Sequence, residues 1–386
     1  MITKEDRTKC TGCHACFSIC PSHSITMVPD VAGFLYPSVD ESACVHCNLC
    51  GKVCPIVLSS NPLSPSLEVG YAAYNKDEEI RRSSSSGGIF SQIALSILNK
   101  GGVVVGAVMD DDNRGVHHQL ITSKQKVYLL QGSKYTQSKL GDVLKQTRDE
   151  LKKGRLVLFT GTPCQISGLY SFLGEYYSNL YTQDIICHGV PSPEIYREYI
   201  KYQENKYGSI ATDIQFRSKD KGWSDYEVMI QFENNKVYRQ KFYKDSYMAG
   251  FLQDIFLRPS CYSCIYKTKQ RPSDVTLADF WGIQHVYPEM DDNRGISFVW
   301  IHTEKGQRLF DEIKNNVVFQ SVNCDSAIHY NPSAISTPKQ KPCSEEIVRA
   351  LKHENFIDVL RKYTKLSPSQ FIKKAVSRIK HLIVKS

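Results

Sequence analysis

The chain has 386 residues, 41% of them hydrophobic and 23% charged, with a formal net charge of +8. The length exceeds one small module and leaves room for a second domain with its own core, the composition excludes a disordered or fibrous chain, and no run approaches the roughly 18 uncharged apolar residues of a membrane span. Five uncompensated basic residues (Lys373, Lys374, Arg378, Lys380 and Lys385) lie in the last 14 positions, and without them the rest carries only +3, which excludes a nucleic-acid footprint spread across a fold.

The N-terminal MITKEDRTKC lacks the apolar stretch of a secretory signal. Eight of the fourteen cysteines fall within the first 54 residues, and metal-ligating thiolates persist in a reducing compartment; a cytoplasmic location is expected. Cys10, Cys13, Cys16, Cys20 and Pro21 form one run, and Cys44, Cys47, Cys50, Cys54 and Pro55 a second. Both keep the CxxCxxCxxxCP spacing of bacterial proteins that carry two [4Fe–4S] clusters. Three cysteines two residues apart wrap one cubane, while the fourth lies beyond its reach and serves the neighbour. Cys10, Cys13, Cys16 and Cys54 are therefore assigned to one cluster, and Cys44, Cys47, Cys50 and Cys20 to the other. Gly12 and Gly51 are expected to allow tight turns beside the sulfurs. Zinc sites need no third cysteine followed by Cys-Pro, and disulfides lack a secretory context.

The Pro- and Ser-rich stretch at 59–66 marks a linker, drawn over 59–68. It separates an α+β ferredoxin-like module (1–58) from a larger α/β domain with a mixed sheet (69–345), followed by a helical C-terminal region (346–386). Val69–Tyr74 alternates as a strand, and Ile89, Phe90, Ile93, Ala94, Ile97 and Leu98 recur at helical spacing. Strands are predicted at 103–109, 155–161 and 181–187, with helices at 139–151 and 165–173, so the sheet has parallel character and both faces covered. A more antiparallel insert follows at 214–218, 227–233 and 236–242, then a helix over 246–257.

Several motifs carry chemistry. The Ser-rich turn at 83–88 ahead of a helix reads either as a surface linker or as a phosphate cradle with free N–H groups. The GSKYTQS turn at 132–138 offers a lysine and hydroxyls to a diphosphate or a flavin edge. In FTGTPCQ (159–165) a buried strand ends at a tight turn, with Cys164 at a helix start that favours the thiolate. The next strand ends at Cys187, so the two meet at the C-terminal edge of one sheet, where open α/β sheets hold ligands. Cys261 and Cys264 add a CxxC. Unrelated core thiols, a redox dithiol and a third four-thiolate site all remain readings of this quartet, and spacing alone leaves zinc open.

With FRSKDKGW (216–223) and ADFWG (278–282), these motifs resemble the coenzyme F420 hydrogenase/dehydrogenase beta-subunit family, from about residue 3 to 300. The resemblance implies an FAD-containing iron–sulfur oxidoreductase that moves electrons between an organic hydride donor or acceptor, F420-like or other, and ferredoxin-type clusters. It implies a third [4Fe–4S] cluster on Cys164, Cys187, Cys261 and Cys264. It implies FAD contacts from Ser86, Gly87 and Gly88, from Ser133, Lys134 and Tyr135, and from Thr160, Gly161 and Thr162. A redox partner protein is implied too, and some bacterial members are associated with cell-surface polysaccharide synthesis; the alternative is an electron-transfer subunit with no substrate site of its own. Arg217, Lys219 and Lys221 suit an anionic substrate or a solvated hairpin. No catalytic residue is assigned; His188, beside Cys187, is a candidate acid or base. Cys324 and Cys343 match no hallmark and read as ordinary cysteines. In the tail, Phe371, Ile372, Ala375, Val376, Ile379, Leu382 and Ile383 form an apolar stripe opposite the lysines, which reads as a peripheral membrane contact, a surface docked on a partner, or a helix packed on its own domain.

Overall fold

The computed structural model describes residues 7–58, 67–339 and 344–364. The linker stretch 59–66, Cys343 and the basic amphipathic tail lie outside them.

Both cysteine runs turn through short helices. The first holds Ala15–Ile19, with Cys20 at its C-cap, and the second Leu49–Lys52 and Pro55–Leu58. Between them β1 (Ile25–Pro29) and β2 (Leu35–Val39) pair antiparallel, Ile25 opposite Val39. Gly12 takes the left-handed conformation (φ +69), as expected. Gly51 does not, because it lies inside the helical turn Leu49–Lys52, and His14, His46 and Asn48 take positive φ instead.

The larger region contributes β3 (Val69–Asn75), β4 (Val103–Met109), β5 (Val116–Ile121), β6 (Val157–Thr160), β7 (Leu180–Ile185), β8 (Ala211–Ser218), β9 (Glu227–Phe232), β10 (Val237–Lys241), β11 (Val275–Asp279), β12 (Ser297–Ile301) and β13 (Val317–Val322). Eight of these strands form one sheet in the order β13-β3-β12-β11-β7-β6-β4-β5. The run β11-β7-β6-β4 is parallel, and the outer strands are antiparallel. The sheet is mixed, as the sequence predicts.

Alternation places Val104 and Leu158 on one face, under helices Ile89–Asn99 and Glu304–Ile313. Val103, Val105, Val157 and Phe159 face helices Val143–Lys152 and Pro163–Leu173 on the other. A strand buried on both sides is apolar throughout, and each fully buried Val or Leu side chain contributes roughly 1.5–3 kcal/mol. Ala15 and Val53 of the cysteine-rich module join this second cluster, so module and large domain share a core.

The antiparallel sheet β10-β9-β8 packs with helices Pro193–Tyr207, Ser246–Leu252, Ser344–Leu351 and Phe356–Tyr363. The helix predicted over 246–257 stops at Leu252. Asp254 turns left-handed (φ 64), which redirects Ile255, Phe256 and Leu257 into the core. The helix predicted from 139 begins at Val143, because Lys139 exchanges backbone hydrogen bonds with Val116 and His118.

Candidate functional site

Two cavities open in the cysteine-rich module. One of about 90 Å³ is lined by Cys10, Cys13, Cys16 and Cys54. The other, of about 110 Å³, is lined by Cys20, Cys44, Cys47 and Cys50. The fourth cysteine of each run thus joins the other run's three. Burial pushes the Cys13 thiol up to about 12 and that of Cys16 higher still. Cys20 is the exception: against a burial penalty, the hydroxyls of Ser24 (3.3 Å) and Ser22 (3.7 Å) bring it down to about 7. Thr11 Oγ1, beside the Cys13 thiol, and His14 Nδ1 are both buried and belong to residues that line the first cavity.

Cys164 occupies the second position of helix Pro163–Leu173, whose N-cap Thr162 forms a capping box with Gln165. Cys187 follows β7, the parallel neighbour of β6, and Cys261 and Cys264 flank the end of a 3₁₀ turn, Pro259–Ser263. The four thiols lie within electrostatic range of one another. The N–H of Val190 donates to Cys261 Sγ (3.4 Å), and Cys164 Sγ lies 3.1 Å from the Thr162 hydroxyl. The thiolate expected at the helix start is not favoured by the protein alone: burial and then the neighbouring thiols push Cys164 well above the ordinary thiol range, and burial raises Cys187 and takes Cys261 to about 12. Lys267, Arg271 and Arg258 counter this as cations within range. A buried thiol quartet becomes stable as thiolates once a cationic centre binds it. Among the described residues no three His, Cys, Asp or Glu side chains converge as they would on one ion. Thiolates on a cubane each meet a different iron, so they need not converge on a point.

The helix that begins with Cys164 also touches the module. A Cβ at Gly168 would lie 2.6 Å from Cys13 Cβ and 2.9 Å from Cys13 Sγ. Tyr266 stands in electrostatic range of Cys164, Cys264 and Cys13, with the buried Ser167 hydroxyl beside its own.

Of the three turns expected to contact FAD, the first two meet directly, and the third is joined through His118 to Ser138, just past the second. Ser85 Oγ accepts from Ser133 N (2.7 Å) and Ser133 Oγ (2.9 Å). His118 bridges Ser138 Oγ (2.7 Å) and the Thr160 carbonyl (3.0 Å), and burial takes it down to about 4. Many of the predicted contact groups are engaged within the fold. Ser86 Oγ donates to the Ile296 carbonyl, Gly87 N–H to Ser297 Oγ, Gly161 N–H to the Gln183 carbonyl and Thr160 Oγ1 to the Val105 carbonyl. Gly88 is the left-handed N-cap of helix Ile89–Asn99. The turn after it keeps more capacity. Lys134 spends two donors on the Gln131 and Gly132 carbonyls, with burial taking it to about 8. Among the described residues, Thr136 Oγ1 is buried and unpartnered, and the space beside Gly132 is open. Tyr135 packs on Phe216 and Phe251.

FRSKDKGW is not a solvated hairpin. Arg217 is buried and grips Asp279 through two 2.9 Å bonds, lies 4.0 Å over the Tyr226 ring and donates to the Ser85 carbonyl. Trp223 donates to the same Asp279 and stacks on Trp281 at 4.7 Å. Lys219 donates to the carbonyls of Arg81, Ser86 and Arg294; burial moves it to about 7, although three acceptors favour the ammonium. Lys221 is exposed. His188 is oriented by Asp254 at 2.6 Å. Cys324 packs in the core with Phe298 and Trp300.

Asp279, Arg258, Gln137 and Tyr266 were not singled out from sequence. The signals available were the Asp inside ADFWG, the Gln inside GSKYTQS and a lone Arg three residues before Cys261; for Tyr266 there was none.

Residues 70–145 match the family model described as coenzyme F420 hydrogenase/dehydrogenase, beta subunit N-term, and residues 154–326 match the model of the same beta subunit's C terminus. Residues 9–56 match the 4Fe-4S dicluster domain. The fold is similar to a chain in the xenon-derivatised F420-reducing [NiFe] hydrogenase complex from Methanosarcina barkeri, at 15% identity and TM-score 0.46, over 78% of this chain and 92% of that one. No curated protein matches the chain.

Proposed function

This chain belongs to the coenzyme F420 hydrogenase/dehydrogenase beta-subunit family and carries a 4Fe-4S dicluster module, and from that premise we propose that it is a flavin-dependent iron–sulfur oxidoreductase. Cys10, Cys13, Cys16 and Cys54 hold the first [4Fe–4S] cluster; Cys20, Cys44, Cys47 and Cys50 hold the second. Cys164, Cys187, Cys261 and Cys264 hold a third. The turns 85–88, 132–135 and 160–162 would hold FAD, which would supply the exchange of two-electron hydride chemistry for single electrons.

The residues of the chain supply spacing, charge and orientation. Lys134 and the free hydroxyl of Thr136 suit a phosphate, while Ser86, Gly87 and Thr160 hold the backbone of the neighbouring turns in shape. Lys267 and Arg271 offset the charge of the thiolate quartet. The observation that carries the reading is helix Pro163–Leu173, with Cys164 at its start and Gly168, about one turn on, against Cys13. That contact orders the centres: the large-domain quartet, then the first cluster, then the second, whose rim is open at exposed Cys47 and at Val45, 62% exposed. An open terminal centre suits a redox partner protein, which also keeps a second reading in view: an electron-transfer subunit that feeds a partner and has no substrate site. Lys134, which keeps a donor beyond its two carbonyl bonds, and the neighbouring Thr136 favour an anionic hydride donor or acceptor, F420-like or other, over that second reading.

Anaerobic reconstitution tests the proposal. About twelve irons per chain, from three four-iron clusters, with bound FAD support it; about eight irons and no flavin defeat it.

A further inference from the structure

Arg258 belongs by its backbone to one redox site and by its side chain to another. Its N–H donates to the Val190 carbonyl, and its own carbonyl accepts from Cys261 N–H (2.9 Å each). It is therefore built into the loop that carries the large-domain quartet. The side chain, 1% exposed, crosses into the cysteine-rich module. Nε donates to the Cys10 carbonyl (2.7 Å), Nη2 to the Leu35 carbonyl (2.9 Å) and to Cys10 Sγ (3.7 Å), and Nη1 to Gln137 Oε1 (2.8 Å). The guanidinium also lies 4.3 Å over the Tyr36 ring. Gln137 completes the clasp by donating to the Thr11 carbonyl. The fit leaves no room for a side chain at Gly12, whose Cβ would come 2.9 Å from Nη1.

These hydrogen bonds reach carbonyls, an amide and a sulfur, with no carboxylate among them. A buried cation is costly without an anion; the anions within range of this one are the half-buried Asp30 carboxylate and Cys10, once a cluster holds it as a thiolate. Reduction of a cluster adds one negative charge, which a fixed cation in a dry site stabilises. Among the described residues, the second cavity has no Arg or Lys in its lining. Arg7 and Lys9 also line the first, but at the solvent-exposed rim, where charge is screened.

We propose that Arg258 is a positioning residue that clasps the Cys10 loop to the Cys261 loop and holds the first cluster at a higher potential than the second. The inference rests on the cluster assignment above. The first cluster then acts as the electron reservoir between the large-domain site and the exposed exit cluster.

Potentiometric EPR of the reconstituted full chain tests this, with iron counted on each sample. In the unaltered protein the first cluster is reduced before the second, each signal being assigned by its loss in Cys54→Ser or Cys20→Ser. In Arg258→Gln the equilibrium preference for reducing the first cluster over the second falls about tenfold, which is 59 mV for a one-electron couple. Arg258→Lys keeps most of the preference because it keeps the charge, and Arg7→Gln keeps it all. If the second cluster is reduced first in the unaltered protein, the inference fails whatever the variants do. It also fails if Gln at 258 leaves the ratio within twofold while the iron count is intact, or if Lys shifts it as far as Gln. A missing first-cluster signal in the unaltered protein defeats the cluster assignment instead.

Discussion

Gly168→Ala is the smallest change that tests the contact between the large domain and the first cluster. In a helix interior this substitution normally stabilises by about 1 kcal/mol. Here the new methyl group would lie 2.6 Å from Cys13 Cβ, 2.9 Å from Cys13 Sγ and 3.3 Å from the Cys13 carbonyl oxygen, against an ordinary contact of roughly 3.5–4.0 Å. One side must retreat by about 1 Å. The helix cannot, because Ile166, Leu169 and Phe172 are locked in the core, so the Cys13 loop moves. Overpacking of this kind costs about 1–3 kcal/mol, enough to cancel the helical gain or reverse it. The expected outcome is no stabilisation in denaturant unfolding, together with selective loss or broadening of the first-cluster EPR signal, the second being unchanged. A variant about 1 kcal/mol more stable than its parent, with both signals intact, would refute the close contact.

Cys54→Ala should remove the first cluster and Cys20→Ala the second, each read by which EPR signal survives; an assignment of four cysteines within one run predicts the reverse. Asp279→Asn leaves Arg217 buried with half its partner, and breaking a buried pair costs about 3–5 kcal/mol, visible as a lower midpoint in urea. His118 is held neutral, taken down to about 4 by burial, so the unfolded chain binds the extra proton first and stability is lost as pH falls below the ordinary histidine value. Between pH 6.5 and 5.5 that loss is about 1 kcal/mol, and His118→Gln should flatten this part of the unfolding profile.

Much of the fold is legible in the sequence because burial leaves a periodic trace. The apolar runs at 103–109 and 155–161 are strands covered on both faces, and Ile89, Ile93, Ala94 and Ile97 do form the inner face of a helix. The CxxC spacings point to the cysteines because ligand geometry is local to a loop. What the sequence conceals is contact between distant segments. Arg258 lies 248 positions from Cys10, and Asp279 lies 62 from Arg217, so no local pattern joins them. The turn at Ser86 and Gly87 shows the same: a Ser-Gly turn before a helix does not reveal in sequence that the Ser86 hydroxyl and the Gly87 N–H bond Ile296 and Ser297. The helix over 246–257 ended early because a left-handed Asp254 leaves no mark in hydrophobic spacing.

The central claim is that electrons pass between the flavin site and the dicluster module by way of Cys164, Cys187, Cys261 and Cys264. Rapid-freeze EPR after anaerobic flavin reduction, comparing the parent with Cys264→Ala, tests it most directly. The account predicts that both module clusters in the variant still accept electrons from dithionite but no longer from the flavin. Reduction of those clusters from the flavin at the parent rate would contradict it.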